Sequence, residues 1–353
     1  MKWVKFIGAA FVFVLILLKP EQAVMNAQRA MSVWYSSVAP AIFPFLALMP
    51  LLSSKEACKA YEKLFSRCMR PLFRLPGSAA PAVLIGMIAG SPAGAVALRN
   101  IASNSNLSRS EARRIALAVG GVSPAYLIMG VGQRLHGSMK LGIRLAAAQI
   151  VIQLVLLAAL PRLYKDNDVG AAFNDHDYER RKPITAAVEN ILCVCGYMVF
   201  YSVVAGTIAA IIGKDISRII LLMMDLPSGL EGLVTSKLPL KIMIQNAAVG
   251  FTGFCIIFQN MNVLNELNIK LRSYIGMRTV FAVMMAVAGV LMDSKFTVGM
   301  LNLMENAKIS YSMSLLIAGI LSLPVLYLLS NKSFLNKRKD RNEWAEKKKI
   351  PNI

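Results

Sequence analysis

Charged residues are scarce in this chain, and acidic residues are the scarcest of them. Only 16% of the residues are Asp, Glu, Lys or Arg, whereas a soluble domain carries about 25%. Hydrophobic residues make up 56% of the chain, and its mean hydropathy is +0.55. This composition excludes an ordinary soluble domain and predicts a polytopic membrane protein.

Side chains that carry out catalysis are also rare in this sequence. It has two histidines, His136 and His176, both in connecting segments, and no H-E-x-x-H, G-x-S-x-G or P-loop pattern. The five cysteines lie in or beside apolar segments, and the C-x-C spacing of Cys193 and Cys195 fits neither a disulfide framework nor a zinc site. The sequence therefore predicts a protein that is not an enzyme and uses no metal or cofactor.

Basic residues outnumber acidic residues by 39 to 19, which gives a formal net charge of +20. Most of the excess lies in connecting segments and in the tail, 331–353, so the charge predicts orientation in the membrane with that tail in the cytoplasm. Nucleic acid is not a predicted partner, because no nucleic-acid-binding motif accompanies the charge. Segment 57–75 alternates basic and apolar residues, which favours a helix lying on the membrane surface in contact with lipid.

The chain begins with an apolar segment that resembles a secretory signal. MKWVK precedes FIGAAFVFVLILL, but no convincing cleavage site follows, so we predict an uncleaved first membrane helix. A polar linker, 162–183, separates a first membrane half, 1–161, from a second, 184–330.

Further apolar segments occur in both halves, and several are shorter than the roughly 20 residues that a full helical span needs. They lie at about 35–52, 141–161, 186–212, 240–258, 277–292 and 309–330. Short segments favour half-helices or re-entrant hairpins. The order of features predicts an all-α polytopic fold with two inverted-type repeats that contain discontinuous or re-entrant helices.

Two apolar stretches of the first half are interrupted at their centres by a serine followed by a proline. They are AVLIGMIAGSPAGAVAL (82–98) and IALAVGGVSPAYLIMGVG (115–132), and the second half has partial counterparts within 226–239 and 246–260. A bilayer has no water to satisfy an interrupted backbone, so such breaks occur only where protein or a water-filled cavity surrounds them. Paired breaks predict a transporter-type binding site. The alternative is a set of proline-kinked helices with glycines for close packing.

The first break has the residues of a helix start. Gly90 can adopt a backbone conformation closed to other residues, Ser91 can cap the next turn, and Pro92 fits the first helical position. A helix N-terminus carries about half a positive charge and free amide hydrogens, which favours an anionic ligand. Ser123 and Pro124 repeat the pattern, so we predict two N-termini that hold a carboxylate without a buried lysine or arginine.

Polar side chains in the other apolar runs extend the predicted site. Gln149 and Gln153 are costly facing lipid and are predicted to face protein. SGLE (228–231) is a capping-box pattern, in which Glu231 either only caps the helix or binds a coupling proton or sodium. The predicted substrate-binding residues are Gly90, Ser91, Pro92, Gly94, Ser123, Pro124, Glu231, Gly253 and Gln259.

Four segments, in this order, resemble the YlbJ-type sporulation integral membrane proteins, which carry the nucleoside-recognition or gate domain. They are GSPAGA (90–95), VSPAYLI (122–128), SGLEGL (228–233) and GFTGFCIIFQ (250–259). The resemblance covers nearly the whole chain in order of features. In the first motif Ser91 replaces the aromatic residue that is usual in the family.

The resemblance implies a transporter of a small organic anion. Its substrate would be dipicolinic acid, moved from the mother cell across the outer forespore membrane during spore maturation. Dipicolinate at neutral pH is a small planar dianion, which suits helix N-termini. A nucleoside-type transporter and a non-transporting scaffold for spore-envelope assembly are the alternatives. The coupling ion and the oligomeric state stay open.

Overall fold

All regular secondary structure in the described residues is helical. The computed structural model describes residues 2–105, 107–163, 183–212, 214–234 and 241–292. Most of the predicted linker 162–183, the apolar segment 309–330 and the tail 331–353 lie outside the described residues.

In its described residues, the first half contains eight α-helices, two π-helical segments and one 3-10 turn. In chain order they are α1 (Lys2–Leu18), α2 (Pro20–Val33), a π-helical turn (Trp34–Val38), α3 (Ala39–Leu52), α4 (Lys55–Phe73), a 3-10 turn (Gly77–Ala79), α5 (Ala80–Ile88), α6 (Ala93–Asn104), α7 (Arg109–Ala118), a second π-helical segment (Tyr126–Leu135) and α8 (Met139–Leu163).

The second half, as far as the structure describes it, continues with six α-helices and one 3-10 turn. They are α9 (Pro183–Ala209), α10 (Lys214–Met224), α11 (Leu226–Val234), α12 (Lys241–Phe251), α13 (Gly253–Leu264), a 3-10 turn (Asn265–Leu267) and α14 (Leu271–Met292).

Four of the described stretches are long and apolar enough to cross a membrane. They are Met139–Pro161, Pro183–Ala209, Ile242–Leu267 and Leu271–Val290. Two bent pairs raise the number to six if each is one span: Ala9–Leu18 with Pro20–Ser36, bent by 104°, and Lys55–Phe73 with Gly77–Ile88, bent by 93°. The prediction of an all-α polytopic membrane protein is confirmed, and the inverted-type repeats stay a prediction.

Close backbone contact holds the central helices together. A Cβ added to Gly250 of α12 would lie 2.7 Å from the Cα of Ala282 on α14, and one added to Gly94 of α6 would lie 2.5 Å from the Cα of Gly86 on α5. Membrane helices pack in this way through small residues, because lipid supplies no hydrophobic driving force between them.

The basic segment 57–75 is largely helical, as predicted. Its helix, α4, is capped by Ser54, whose hydroxyl accepts a hydrogen bond from the Ala57 amide at 3.2 Å. The helix ends where Arg74 adopts a left-handed conformation, φ 52°. Its position on the membrane surface stays a prediction.

Candidate functional site

The two breaks of the first half lie against each other. Gly90 has φ +70°, and a Cβ added there would lie 2.6 Å from the backbone nitrogen of Ser123. The Ser91 amide donates a hydrogen bond to the Gly121 carbonyl oxygen at 2.9 Å. The glycine is therefore required both by its left-handed backbone and by the closeness of the second break.

The two serines of these breaks have different partners. Ser123 caps its helix as predicted: its hydroxyl accepts from the Tyr126 amide at 3.2 Å, and Pro124 is the first helical residue. Ser91 does not cap α6, which corrects the prediction. Pro92 itself occupies the cap position in a turn conformation, φ −89° and ψ 0°, so the helix begins at Ala93 and the Ser91 hydroxyl is left to bind elsewhere.

The Ser91 hydroxyl lines a narrow pocket between α5, α6, α7, α13 and α14. Asn260 of α13 donates from its Nδ2 group to Ser91 Oγ at 2.8 Å and to Tyr274 Oη at 2.7 Å. Gly94 and Gly120 also line the pocket, and the rest of its wall is apolar. The free space has room for about one water molecule.

The pocket and the second break beside it have unused hydrogen-bonding capacity. Asn260 is 2% exposed, and its Oδ1 atom has no partner among the described residues. Gln149 of α8 donates from Nε2 to the Val122 carbonyl oxygen at 2.8 Å, next to the second break, while its Oε1 atom has no partner in the described part of the chain. Gln149 and Gln153 are both 0% exposed, so the prediction that they face protein is confirmed.

Arg278 lies buried beside the pocket, on the same face of α14 as Tyr274. It is 0% exposed, and its guanidinium lies 4.8 Å from the ring centroid of Phe281 and 5.6 Å from that of Tyr274. One hydrogen bond runs from Nη2 to the Leu117 carbonyl oxygen at 3.2 Å. The Nε and Nη1 groups have no partner within the ranges that the structure describes.

A buried arginine in an apolar span is costly unless an anion or other acceptors satisfy it. The contacts with two aromatic rings offset part of this cost, but two of its N–H-bearing nitrogens remain available. The predicted carboxylate site without a buried lysine or arginine stays a prediction, but a buried arginine does lie next to the first break pair. The positive charge of the Arg278 guanidinium lies next to the first break pair.

The two breaks of the second half also lie against each other. Thr252 and Gly253 separate α12 from α13 with φ values of 72° and 77°. A Cβ added to Gly253 would lie 3.3 Å from the Met223 carbonyl oxygen and 3.6 Å from the Leu226 nitrogen. Asp225, between α10 and α11, lies between these two contact residues in the chain.

The predicted capping box at Ser228 does not form, and Ser228 instead hydrogen-bonds Asp225. Helix α11 begins at Leu226, three residues earlier than a cap at Ser228 requires, and Ser228 Oγ donates to Asp225 Oδ2 at 2.7 Å. Asp225 is 7% exposed and lies outside the candidate spans. Burial raises the pKa of its carboxyl group above the ordinary value, and hydrogen bonds from Ser228 and Ser202 oppose that rise.

Glu231 is an ion-pair residue and not a cap. Its carboxylate pairs with Arg29 of α2 and accepts a hydrogen bond from Arg134 of the second π-helical segment at 2.8 Å. Its side chain is 28% exposed. Glu231 therefore connects three elements near the second break pair.

The structure gathers part of the predicted residue set. Ser91 and Gly94 line the pocket, and Gly90, Pro92, Ser123 and Pro124 form the breaks around it. Glu231 and Gly253 belong to the second break region. Gln259 donates from Nε2 to Cys255 Sγ at 3.2 Å on its own helix, and the next residue, Asn260, is the one that reaches Ser91.

Sequence reasoning missed four residues: Asn260, Tyr274, Arg278 and Asp225. A signal was present for two of them, since Arg278 is a lone charge inside the apolar run 277–292 and Asp225 directly follows the apolar run 219–224. Among the described residues, no group of three or more His, Cys, Asp or Glu side chains could hold a metal ion.

Comparison with known proteins shows one relative that bears on the family resemblance. The chain is 23% identical over 322 residues to the sporulation integral membrane protein YlbJ of Bacillus subtilis (strain 168), which covers 78% of this chain and 79% of that protein. No protein-family model and no solved structure matches the chain. The similarity to this relative supports a YlbJ-type family assignment for the integral membrane protein described here.

Proposed function

We propose that this protein transports a small organic anion, with dipicolinate as its substrate, across the outer forespore membrane during spore formation. The observation that carries the proposal is Arg278, buried beside the pocket with two nitrogens that have no partner among the described residues. The sporulation context comes from the similarity to YlbJ. The cytoplasmic position of the tail, 331–353, is part of the same proposal.

The pocket's polar groups, together with the Arg278 guanidinium that lies behind Tyr274 and outside the pocket lining, fit a carboxylate ligand once the helices move apart. A guanidinium binds a carboxylate through two parallel N–H···O bonds and prefers it to most other anions. Ser91, Asn260 and Tyr274 add neutral hydrogen-bonding groups at the same place. The apolar remainder of the wall suits the flat face of an aromatic ring.

Access to the pocket requires helix movement in this proposal. With room for about one water, the pocket is closed to a ligand of dipicolinate size. The hydrogen bond between Ser91 and Asn260 joins the break that precedes α6 to α13 across it. Separation of these two helices would open the site, in the manner of transporters that alternate access around discontinuous helices.

Uptake into liposomes tests the proposal. We expect purified protein to carry labelled dipicolinate into liposomes, and we expect Arg278→Met to reduce uptake at least tenfold, because a hydrogen-bonded charge contributes roughly 1.5–3 kcal/mol. Arg272→Met is the matched control, since Arg272 lies on the same helix in an exposed position. Wild-type liposomes that take up nothing, together with deletion spores of normal dipicolinate content, would contradict the proposal.

A nucleoside is the second candidate ligand. The side chains of Ser91, Asn260 and Tyr274 are neutral donors and acceptors, which are the groups that a neutral sugar or base requires. Competition separates the two ligands: excess dicarboxylate blocks labelled dipicolinate uptake if the anion is the substrate, and excess nucleoside blocks it if the pocket recognises nucleosides.

A further inference from the structure

Asp225 is a buried carboxylate that lies away from the Arg278 pocket. It sits in the break between α10 and α11 and is buried, as are Leu222, Leu226 and Leu230 near it in the chain. Within the described residues no lysine or arginine forms an ion pair with it, and its carboxylate accepts a hydrogen bond from Ser228 at 2.7 Å. A carboxylate in such surroundings exchanges its charge for a proton more readily than one in water.

The charged and titratable groups that face Asp225 come from four elements. Arg29 of α2 acts on it electrostatically and favours its charged form, whereas Glu231 of α11 favours the neutral form. Tyr126 of the second π-helical segment and Cys255 of α13 also face it. Arg29 is itself paired with Glu231, so Glu231 competes with Asp225 for the nearest positive charge.

We propose that Asp225 is a proton-binding site that couples proton movement to the movement of the anion. This inference rests on the transport function proposed above and names its coupling ion. It assigns the role to Asp225 and not to Glu231, because Glu231 is the more exposed carboxylate and is held by two arginines.

A proton fits this site better than sodium does. Sodium needs a shell of several oxygen ligands, whereas Ser228 supplies one hydroxyl to the Asp225 carboxylate, and the neighbouring Leu222 and Leu226 are apolar and buried. Among the described residues, Asp225 belongs to no group of three or more His, Cys, Asp or Glu side chains that could hold a metal ion. The Ser228 hydroxyl donates to the carboxylate, so it stabilises the charged form between protonation events.

Helix α13 connects the proton site to the anion pocket. Its first residue, Gly253, lies against the carbonyl oxygen of Met223, two residues before Asp225. Asn260, seven residues later, hydrogen-bonds Ser91 in the pocket, which is about 10 Å along the helix axis. A shift of α13 on protonation of Asp225 would therefore act directly on the hydrogen bond that closes the pocket.

Two kinds of transport assay on the full chain in liposomes test the coupling. Accumulation is measured with labelled dipicolinate and an external pH below the internal pH, and exchange is measured with dipicolinate on both sides and no gradient. We expect the wild type to perform both, and Asp225→Asn to lose accumulation at least fivefold while it retains exchange, because the amide has the shape of the neutral acid and can still accept from Ser228. Glu266→Gln, a change to an exposed carboxylate that pairs with Arg99, is the matched control, and protein-free liposomes give the background.

The outcomes separate the two proposals. Wild-type protein that neither accumulates nor exchanges dipicolinate overturns the transport function and the coupling with it. Wild-type exchange without any response to the proton gradient, or with a response to a sodium gradient instead, overturns only the coupling. Gradient-driven accumulation by Asp225→Asn at the wild-type level overturns the assignment to Asp225.

An infrared measurement on the detergent-solubilised protein gives a second readout that does not require transport. We expect a protonated-carboxyl band that titrates in the wild type, is absent in Asp225→Asn and is retained in Glu266→Gln. Asp225→Glu should restore a titrating band at a changed pH midpoint. A wild-type spectrum identical to that of Asp225→Asn at every pH would overturn proton binding at this residue.

Discussion

The two break pairs of this protein use the same backbone arrangement and differ in their side chains. In each pair, a glycine with positive φ lies at one break and packs against the backbone of the other break, as Gly90 does near Ser123 and Gly253 does near Met223. The first pair carries neutral polar groups beside a buried guanidinium, and the second carries a buried carboxylate. One arrangement of broken helices can therefore hold groups of opposite charge, and the side chains decide which ligand each pair suits.

The pairs also differ in how tightly they close. An added Cβ at Gly90 would approach a backbone nitrogen at 2.6 Å, whereas one at Gly253 would approach a carbonyl oxygen at 3.3 Å. A backbone hydrogen bond from Ser91 to Gly121 further fixes the first pair. The first pair is thus the more rigid of the two, and the second has more room to adjust when its charge changes.

The largest expected effect comes from placing alanine at the two glycines. Both Gly90→Ala and Gly253→Ala introduce roughly 1–2 kcal/mol of left-handed backbone strain. Gly90→Ala also forces a backbone clash, which adds about 1–3 kcal/mol. We expect the unfolding midpoint of the purified protein in detergent to fall further for Gly90→Ala than for Gly253→Ala.

Gly196→Ala provides the matched control for this pair of substitutions. Gly196 lies in α9, and a Cβ added there would have no neighbour within 4 Å. Its replacement removes a helix-destabilising glycine at no steric cost, so the midpoint should stay level or rise. Equal losses at Gly90 and Gly253 would show that the two break pairs are equally tight.

Local signals in the sequence predicted the breaks but not the residues that meet across them. Composition and the length of the apolar runs predicted the helical membrane fold, and the Gly-Ser-Pro pattern located the break at Gly90. Ser91 was predicted as a cap because its local sequence fits one, yet its partner is Asn260, 169 residues away. Arg278 and Asp225 were missed for the same reason: their burial depends on helices distant in the chain, which no local pattern describes.

A smaller effect is expected from substitutions that change the hydrogen bonding of one break pair and not of the other. Tyr274→Phe removes a hydrogen-bond partner of Asn260 in the anion pocket, which costs about 1–3 kcal/mol when a buried group is left unpaired. We expect a higher dipicolinate concentration for half-maximal uptake, with an unchanged pH profile. The uptake concentration curve, measured at several pH values, checks this.

Ser228→Ala should change the pH profile of transport and leave the concentration dependence nearly unchanged, which is the reverse of the result expected for Tyr274→Phe. The Ser228 hydroxyl donates to the Asp225 carboxylate and lowers its pKa, so removal of the hydroxyl raises that pKa. We expect the pH midpoint of gradient-driven accumulation to move to higher pH, with little change in the concentration for half-maximal exchange. A pH shift in Tyr274→Phe, or a shift to lower pH in Ser228→Ala, would contradict the division of roles between the two pairs.

The smallest expected effect is on stability as a function of pH. Because burial raises the pKa of Asp225 in the folded protein, the neutral acid favours the folded state, and this contribution is complete below the ordinary carboxyl pKa and lost as pH rises through the folded-state pKa. Asp225→Asn is neutral at every pH and lacks this dependence. The unfolding midpoint of the wild type relative to Asp225→Asn should therefore decrease as pH rises, by a few degrees at most if the contribution is about 1 kcal/mol. A relative midpoint that increases with pH would mean that Asp225 is stabilised as a carboxylate by Arg29, and the second break pair would then be a structural ion-pair region and not the proton-binding counterpart of the anion pocket.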